Sequence, residues 1–369
     1  MGDSVDRLIF EADTSSKKRS GVHRPIFAPF FTQPAIDVST PSKVHLLVNP
    51  YSGRKKGLSV GQEAERLLIE AGVVVDVHHS EYASHLVEIA ASLDLNDGDC
   101  IAVVGGDGSL SEAITGWMRT KPTTTPIFAV IPAGTGNSQG TELGISGVDD
   151  SISRIIRGRT QAIDLAEVNL SSGNRKNPGP EMTWYSHNLV TWGLGVDSVV
   201  LAEKLRWMGP IRYDVGIVMM MLVNRRRRAT LILDGHRMEG DYTLFLIQNT
   251  QLGGSGLKLG PGASIDDGEM DLGILQRMSR PSLLKAFGML QKEGRHVFHP
   301  SVVYHRFKHL RIETNEPMAI NIDGELITRR NCTGVERNVC IVTIGDIARL
   351  SRGHETCITA RQIYSGVCS

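Results

Sequence analysis

Two spacings of apolar residues divide the chain. From Lys43 to about Thr160, short apolar runs alternate with stretches in which apolar residues return every three or four positions. VHLLVN (44–49) has the composition of a buried strand and is stopped by Pro50 and the turn Tyr51-Ser52-Gly53. Val60, Ala64, Leu67, Leu68 and Ala71 then share one helical face, which Gly72 ends. VVVDV (73–77), IAVV (101–104) and IFAVI (127–131) predict three further strands, with helices over 82–93 and 109–118 between them. This α/β alternation, with glycines at the strand ends, predicts a parallel sheet covered by helices in three layers. Ligands of such sheets sit beyond the carboxyl ends of the strands, where these glycine turns fall.

Beyond Thr160 the alternation stops. AIDLAEVNL, WYSHNLVTW, ATLILDG, YTLFLIQNT, EMDLGIL, HLRIET, MAINIDG and NVCIVTI are short β-type segments separated by turns. They predict a second, largely antiparallel domain, with helices inserted at about 198–223 and 281–293. The expected organisation is a flexible arm over 1–42, an α/β domain over 43–160, a β-rich domain over 161–350 and a C-terminal tail over 351–369. SSGNRKNPGPE (171–181) reads as a surface loop.

Composition narrows the function classes. Lys+Arg and Asp+Glu both number 40, and this balance argues against a dedicated nucleic-acid binder. The five cysteines are widely spread with no CxxC pair, which suggests reduced thiols in a cytosolic protein with no zinc site. The twelve histidines show no HExxH or comparable spacing and are expected to be structural or on the surface. No apolar run approaches the roughly 18 residues needed to cross a bilayer.

Five turns carry candidate chemistry. In Asn49-Pro50-Tyr51-Ser52-Gly53-Arg54-Lys55-Lys56 a strand ends in a glycine turn followed by cations, a pattern that can hold phosphate oxygens or serve as a solvated hairpin. In Gly105-Gly106-Asp107-Gly108, small residues would let a nucleotide approach the main chain. Asp107 would then accept a proton from an attacking hydroxyl or help hold Mg²⁺; the structural alternative is a helix cap. PAGTGNS (132–138) offers a second small-residue loop at Gly134-Thr135-Gly136, so one phosphate chain could lie between the two. Neither is a Walker A or a full GxGxxG motif. NIDGEL (321–326) and SIDDGEMDL (264–272) are acidic turns, readable as metal-binding carboxylates or as hairpins.

Together VNPYSGRKKG, VVGGDGSLSEA, IPAGTGNS, TWGLGVDSVVLAEKLRWMGPIRYD, PGASIDDGEMDL and NIDGEL resemble the diacylglycerol kinase catalytic-domain superfamily, and within it the sphingosine and ceramide kinases. They occur in the family's order over 43–350. The resemblance implies a nucleotide-binding α/β domain followed by an antiparallel β-sandwich domain, with ATP and Mg²⁺ in the cleft and lipid in the second domain. It assigns Asn49 and Pro50 to the nucleotide site and Ser80, Glu81 and Ser84 to adenine or ribose. Gly105, Gly106, Gly108, Glu112, Gly134, Thr135 and Gly136 would contact nucleotide. Arg206 and Arg212 would face the phosphates, and Asp323, Gly324 and Glu325 would close the site. Asp107 is the expected general base, with Glu325 as its rival, and Asp267 the expected metal residue. On the substrate side stand Asp107, Asp197 and Val199; sphingosine kinases carry an acidic residue where Val199 stands, and an apolar residue there suits ceramide or another neutral lipid better than a free amino base.

VGIVMMMLV (215–223), followed by Arg225 to Arg228, reads as a core helix ending in cations or as a Met-rich wall for an acyl chain beside anionic lipid. The expectation is a cytoplasmic, peripherally membrane-associated kinase of sphingoid bases. Ceramide kinase, diacylglycerol kinase, NAD kinase and a silent lipid-binding scaffold are the alternatives.

Overall fold

Apolar runs at the predicted places become strands because both of their faces can be buried. In the computed structural model, Lys43–Val48, Val74–His79, Cys100–Gly105 and Ile127–Pro132 form a parallel sheet. Residues 34–121, 126–171, 181–253, 256–276, 278–314, 319–327, 339–344 and 363–366 are described. Val44, Leu46 and Val48 pack on one face of the sheet with Ala64 and Leu68 of the helix Gly57–Glu70. Leu47, Ile101 and Val103 pack on the other with Leu110, Ile114 and Trp117 of the helix Asp107–Arg119. Each such apolar side chain contributes about 1.5–3 kcal/mol of transfer free energy, so the layer order follows from where the apolar residues lie.

The sheet extends past the predicted strands. Ile36–Asp37, at the end of the expected arm, pairs antiparallel with Thr160 and Arg159. Ile363–Gly366, from the expected tail, lies between Ile127–Pro132 and Arg159–Ile163. The other parts of the expected arm and tail, and loop residues 172–180, lie outside the described residues. Two helices, Ser138–Glu142 and Val148–Arg157, were not foreseen.

The second sheet is antiparallel throughout. Its longest strand, His236–Gln248, pairs with Arg227–Leu233 through its first half and with Met270–Gln276 and Leu189–Gly193 through its second. A register shift between Tyr242 and Leu244 marks the change of partner. One strand thus serves both layers of the sandwich. Trp192 stacks on Phe245 at 4.6 Å inside it. Three helical segments, Leu194–Lys204, Arg212–Val223 and Arg280–Leu290, close one flank. Among the described residues, no helix is long and apolar enough to cross a membrane.

Candidate active site at the carboxyl rim of the parallel sheet

The glycine turns meet. A Cβ on Gly134 would stand 2.6 Å from the Gly106 Cα, and one on Gly53 would stand 1.9 Å from the Ala133 carbonyl oxygen. No side chain fits at either contact, so sequence and close approach account for each other. Gly53 also has φ +54, and Arg54 and Lys55 continue in the left-handed region at φ 62 and 71. Asn49 ties the first turn to the second: its Nδ2 donates to Ser109 Oγ at 3.1 Å, and its Oδ1 accepts from the Tyr51 N–H at 3.1 Å. Ala133 and Gly134 both donate to the Gly105 carbonyl, at 2.8 and 3.1 Å. The helix Asp107–Arg119 starts at this rim with no side-chain cap, so its first N–H groups face the same space.

Asp107 is half-buried and accepts the backbone N–H groups of Ser138 and Gln139 at 2.9 and 3.0 Å. Its carboxylate therefore also caps the short helix Ser138–Glu142, so both roles foreseen for it coexist. Glu112 accepts the Ser84 N–H at 3.1 Å. Burial, and then the nearby Glu325, push its carboxyl up to about 7. Burial likewise raises Glu325 above the usual carboxylate range. Glu325 lies over Gly108, where a Cβ would stand 2.7 Å from its Oε1. Two carboxyls whose ionisation is opposed by burial and by each other suit a cation carried in with a polyphosphate.

Asp323 and Gly324 form the two-residue turn of the hairpin Ile320–Ile322 to Glu325–Ile327, both with positive φ (50 and 100). This is a type I′ geometry for which Asp-Gly is suited. The Asp323 carboxylate is buried and accepts from Ser186 Oγ at 2.8 Å and from the N–H groups of His187, Asn188 and Leu189 at 3.0, 3.1 and 2.7 Å. Its geometry is that of a brace between two turns.

Ser80 is buried just past the end of Val74–His79, its N–H donating to the Val48 carbonyl at 2.9 Å. The Glu81 N–H meets His85 Nδ1 at 3.0 Å. Other expected residues have partners elsewhere. Asp197 pairs with Arg227 at 2.7 Å, Arg212 with Glu203 at 3.5 Å, and Asp267 with Arg306 at 3.7 Å. The Arg206 side chain lies outside the described ones. The acidic turn around Asp267 is tied internally: the Gly268 N–H donates to Asp164 Oδ2 at 2.7 Å, and Gln161 Nε2 to Asp266 Oδ2 at 3.0 Å.

Sequence reasoning missed His187. It is fully buried; its Nε2 donates to the Asp107 carbonyl at 3.1 Å, and its Nδ1 faces Gln139 Oε1 at 3.2 Å. It thereby joins the turn that carries Asp107 to the one that carries Asp323. A lone histidine in WYSHNLV gives no periodic or motif signal for this. Glu142 was missed too. It accepts the N–H groups of Gln251, at 3.1 Å, and Leu252, and burial pushes its carboxyl up to about 8.

A cavity of about 410 Å³ begins at Asp107, Gly108, Thr135 and Asn188. It runs between the second sheet and the flanking helices past Leu246, Leu275, Leu283 and Phe287, and Val199 lines it while Asp197 does not. Ile217 and Met221 show that one face of VGIVMMMLV is cavity wall, whereas Met219, Leu222 and Val223 are exposed. The arginines after it are engaged within the protein: Arg227 with Asp197, Arg228 with Glu239 at 2.9 Å, and Arg226 with the Met278 carbonyl at 3.4 Å.

Residues 43–168 match the diacylglycerol kinase catalytic domain, and residues 188–336 match the YegS C-terminal NAD kinase beta sandwich-like domain. Sphingosine kinase 1 of Arabidopsis thaliana is 26% identical, the match covering 83% of this chain and 73% of that protein. A diacylglycerol kinase of Mycobacterium tuberculosis is 31% identical over 73% of this chain and 85% of its own length. A crystal structure of a diacylglycerol kinase from Bacillus anthracis str. Sterne shares the fold, with a TM-score of 0.61 at 20% identity over 83% of this chain and 96% of that one. Glycine turns meeting at one sheet rim, a carboxylate among them, an apolar cavity leading away and matches to both halves agree: the chain belongs to the diacylglycerol kinase catalytic-domain family of lipid kinases.

Proposed function

We propose that the chain transfers the γ-phosphoryl group of ATP to the primary hydroxyl of a sphingoid base at a membrane surface. The observation that carries this reading is the continuity of the cavity with the glycine rim: Asp107, Gly108 and Thr135 border both. A lipid with its tail in the cavity would present its hydroxyl to that border. At about 410 Å³ the space is near the lower end of ligand pockets (about 300–1,000 Å³), which favours one chain over two side by side.

The rim fits a nucleotide. The uncapped helix start supplies N–H donors for phosphate oxygens, and Asn137 Oδ1, buried without a hydrogen-bond partner close to Gly106 and Gly134, is an acceptor open to a ribose hydroxyl or a metal-bound water. Glu112 and Glu325 are the residues that would hold Mg²⁺. Bound ATP supplies the phosphoryl group and its metal the charge neutralisation. Asp107 takes the proton of the lipid hydroxyl at the carboxylate oxygens that Ser138 and Gln139 orient. We prefer it to Glu325 because it borders the cavity and Glu325 does not. The short helix, the Asn137 turn and the cavity wall hold hydroxyl and phosphate in line, so catalysis rests on positioning and charge.

A second reading is supported by one contact. Val199 lines the cavity without charge, and Asp197, engaged by Arg227, does not line it, so the cavity wall favours a neutral acceptor such as ceramide or diacylglycerol. Membrane association is supported by the exposed apolar residues Met219 and Leu222, on the helix that also walls the cavity, and Trp207 and Ile211, just before it, Trp207 being 81% exposed. On this reading the protein works as a cytoplasmic enzyme peripheral to its lipid surface.

Radiolabelled ATP with detergent-dispersed sphingosine, ceramide and diacylglycerol, and with NAD, separates the readings. Label in sphingosine 1-phosphate supports the proposal; label only in ceramide or diacylglycerol moves it to the second reading; label only in NAD, or none, overturns both. Asp107→Asn is expected to stay folded and bind ATP while turnover falls by about 10²–10⁴. Turnover at the unmodified rate removes Asp107 from its role.

A further inference from the structure

Within the first two strands of the parallel sheet, on one of its faces, three side chains converge that take no part in the phosphoryl-transfer site described above. His45 comes from the central strand Lys43–Val48, and Asp76 and His78 from the neighbouring edge strand Val74–His79. The parallel register sets His45 against Asp76 and Leu47 against His78. Alternation then puts His45, Asp76 and His78 on one face. Their ligand-type atoms all lie within 4.8 Å of one another.

The geometry points to a site for a zinc-class divalent ion, held by His45 Nδ1, His78 Nε2 and Asp76 Oδ2. His45 Nδ1 lies 3.5 Å from Asp76 Oδ2, and His78 Nε2 lies 3.4 Å from the same oxygen. These separations are too long for good hydrogen bonds. They match the edge of a tetrahedron with metal–ligand bonds of about 2.0–2.1 Å, an edge of roughly 3.3–3.4 Å. His45 is buried, its side chain only 2% exposed, and neither of its ring nitrogens has a hydrogen-bond partner. His78 Nε2 is likewise buried and unpartnered. An imidazole buried in that state is costly unless something completes it, and the second imidazole and the carboxylate face the same gap.

Two more contacts fit. His45 Nε2 points to Asp99 Oδ2 at 3.9 Å, and Asp99 is held by the Asn96 N–H at 2.8 Å. A carboxylate behind a ligating imidazole orients it toward the metal. Asp76 is 44% exposed, which leaves an open side for entry and for water as fourth ligand. Lys43 Nζ, 3.5 Å from Asp76 Oδ2 and 35% exposed, competes for that carboxylate and can turn outward. Two imidazoles and one carboxylate select zinc-like ions over magnesium. Bound there, the ion staples the edge strand to its neighbour.

The test is calorimetric titration of ZnCl₂, with MgCl₂ as control, into the full chain stripped with EDTA. Co²⁺ absorption reports tetrahedral coordination. Because sulfur elsewhere in the chain can also take zinc, the readout is the difference between unmodified protein and His78→Ala. We expect one equivalent to be lost or weakened at least about 100-fold in His78→Ala and in Asp76→Asn. Lys43→Met, which frees Asp76, should tighten it. ATP-dependent phosphorylation should stay intact in His78→Ala, so the outcome is separable from the kinase reading. Identical titrations for unmodified protein, His78→Ala and Asp76→Asn overturn the site. So does a Co²⁺ spectrum without tetrahedral bands, which would leave a hydrated charge cluster.

Discussion

Asp323→Ala tests whether NIDGEL braces the fold or binds nucleotide. The carboxylate accepts from Ser186 Oγ and from three consecutive backbone N–H groups, and it is 3% exposed. Removing it strands all of these donors in a buried turn beside His187. Losing one partner of a buried charged network costs on the order of 3–5 kcal/mol, a large share of the roughly 5–15 kcal/mol that holds a domain together. Asp323→Asn keeps the shape and one acceptor oxygen and should lose less. In urea unfolding followed by fluorescence, Asp323→Ala should lower the midpoint strongly and Asp323→Asn partly, with the slope unchanged. ATP affinity measured on the folded fraction should change little. An Asp323→Asn protein with unmodified stability and at least tenfold weaker ATP binding would refute the brace.

Other consequences follow from distances already given. Gly134→Ala sets a methyl 2.6 Å from the Gly106 Cα, and ATP titration should show at least about tenfold weaker binding, in line with roughly 1–3 kcal/mol of strain. Ala286→Trp, on the cavity wall, should cut lipid phosphorylation while ATP binding persists; equal losses in both assays would contradict the separation of tail and nucleotide. Glu112 and Glu142 are raised to about 7 and about 8 from 4.5, so the folded state holds more protons and loses stability as pH rises from about 4.5 to 8. His45, His296 and His299 are depressed by burial and act in the opposite sense, but only below about pH 6.5. The thermal midpoint should therefore fall between pH 6.5 and 8, and Glu142→Gln should flatten that fall; a midpoint that rises over this range contradicts it.

The parallel sheet was legible because Val44, Leu46, Ile101 and Val103 are buried by the simplest rule available, apolar runs ended by glycine. Asp323-Gly324 was legible as a turn, since type I′ geometry favours that pair. The meeting of Gly53, Gly106 and Gly134 was legible as a shared strand-end position, though the contacts themselves needed coordinates. His187 was not legible, because its role arises from residues 48 and 80 positions earlier in the chain. The pairings of Asp197 with Arg227 and of Arg212 with Glu203 were not legible for the same reason: each partner comes from elsewhere in the chain. The strand Ile363–Gly366 was hidden because it joins the sheet about two hundred residues after its neighbours.

The contact of His187 with the Asp107 carbonyl also constrains traffic. Parting the two halves at that point would pull an imidazole off its acceptor and unseat the donors gathered by Asp323. The seam is thereby tied by hydrogen bonds, whereas Arg212–Val223 roofs the cavity through apolar contacts such as Ile217 and Met221. On the proposed reading, a lipid tail would enter sideways beneath that roof, and the phosphorylated product would leave by the same door.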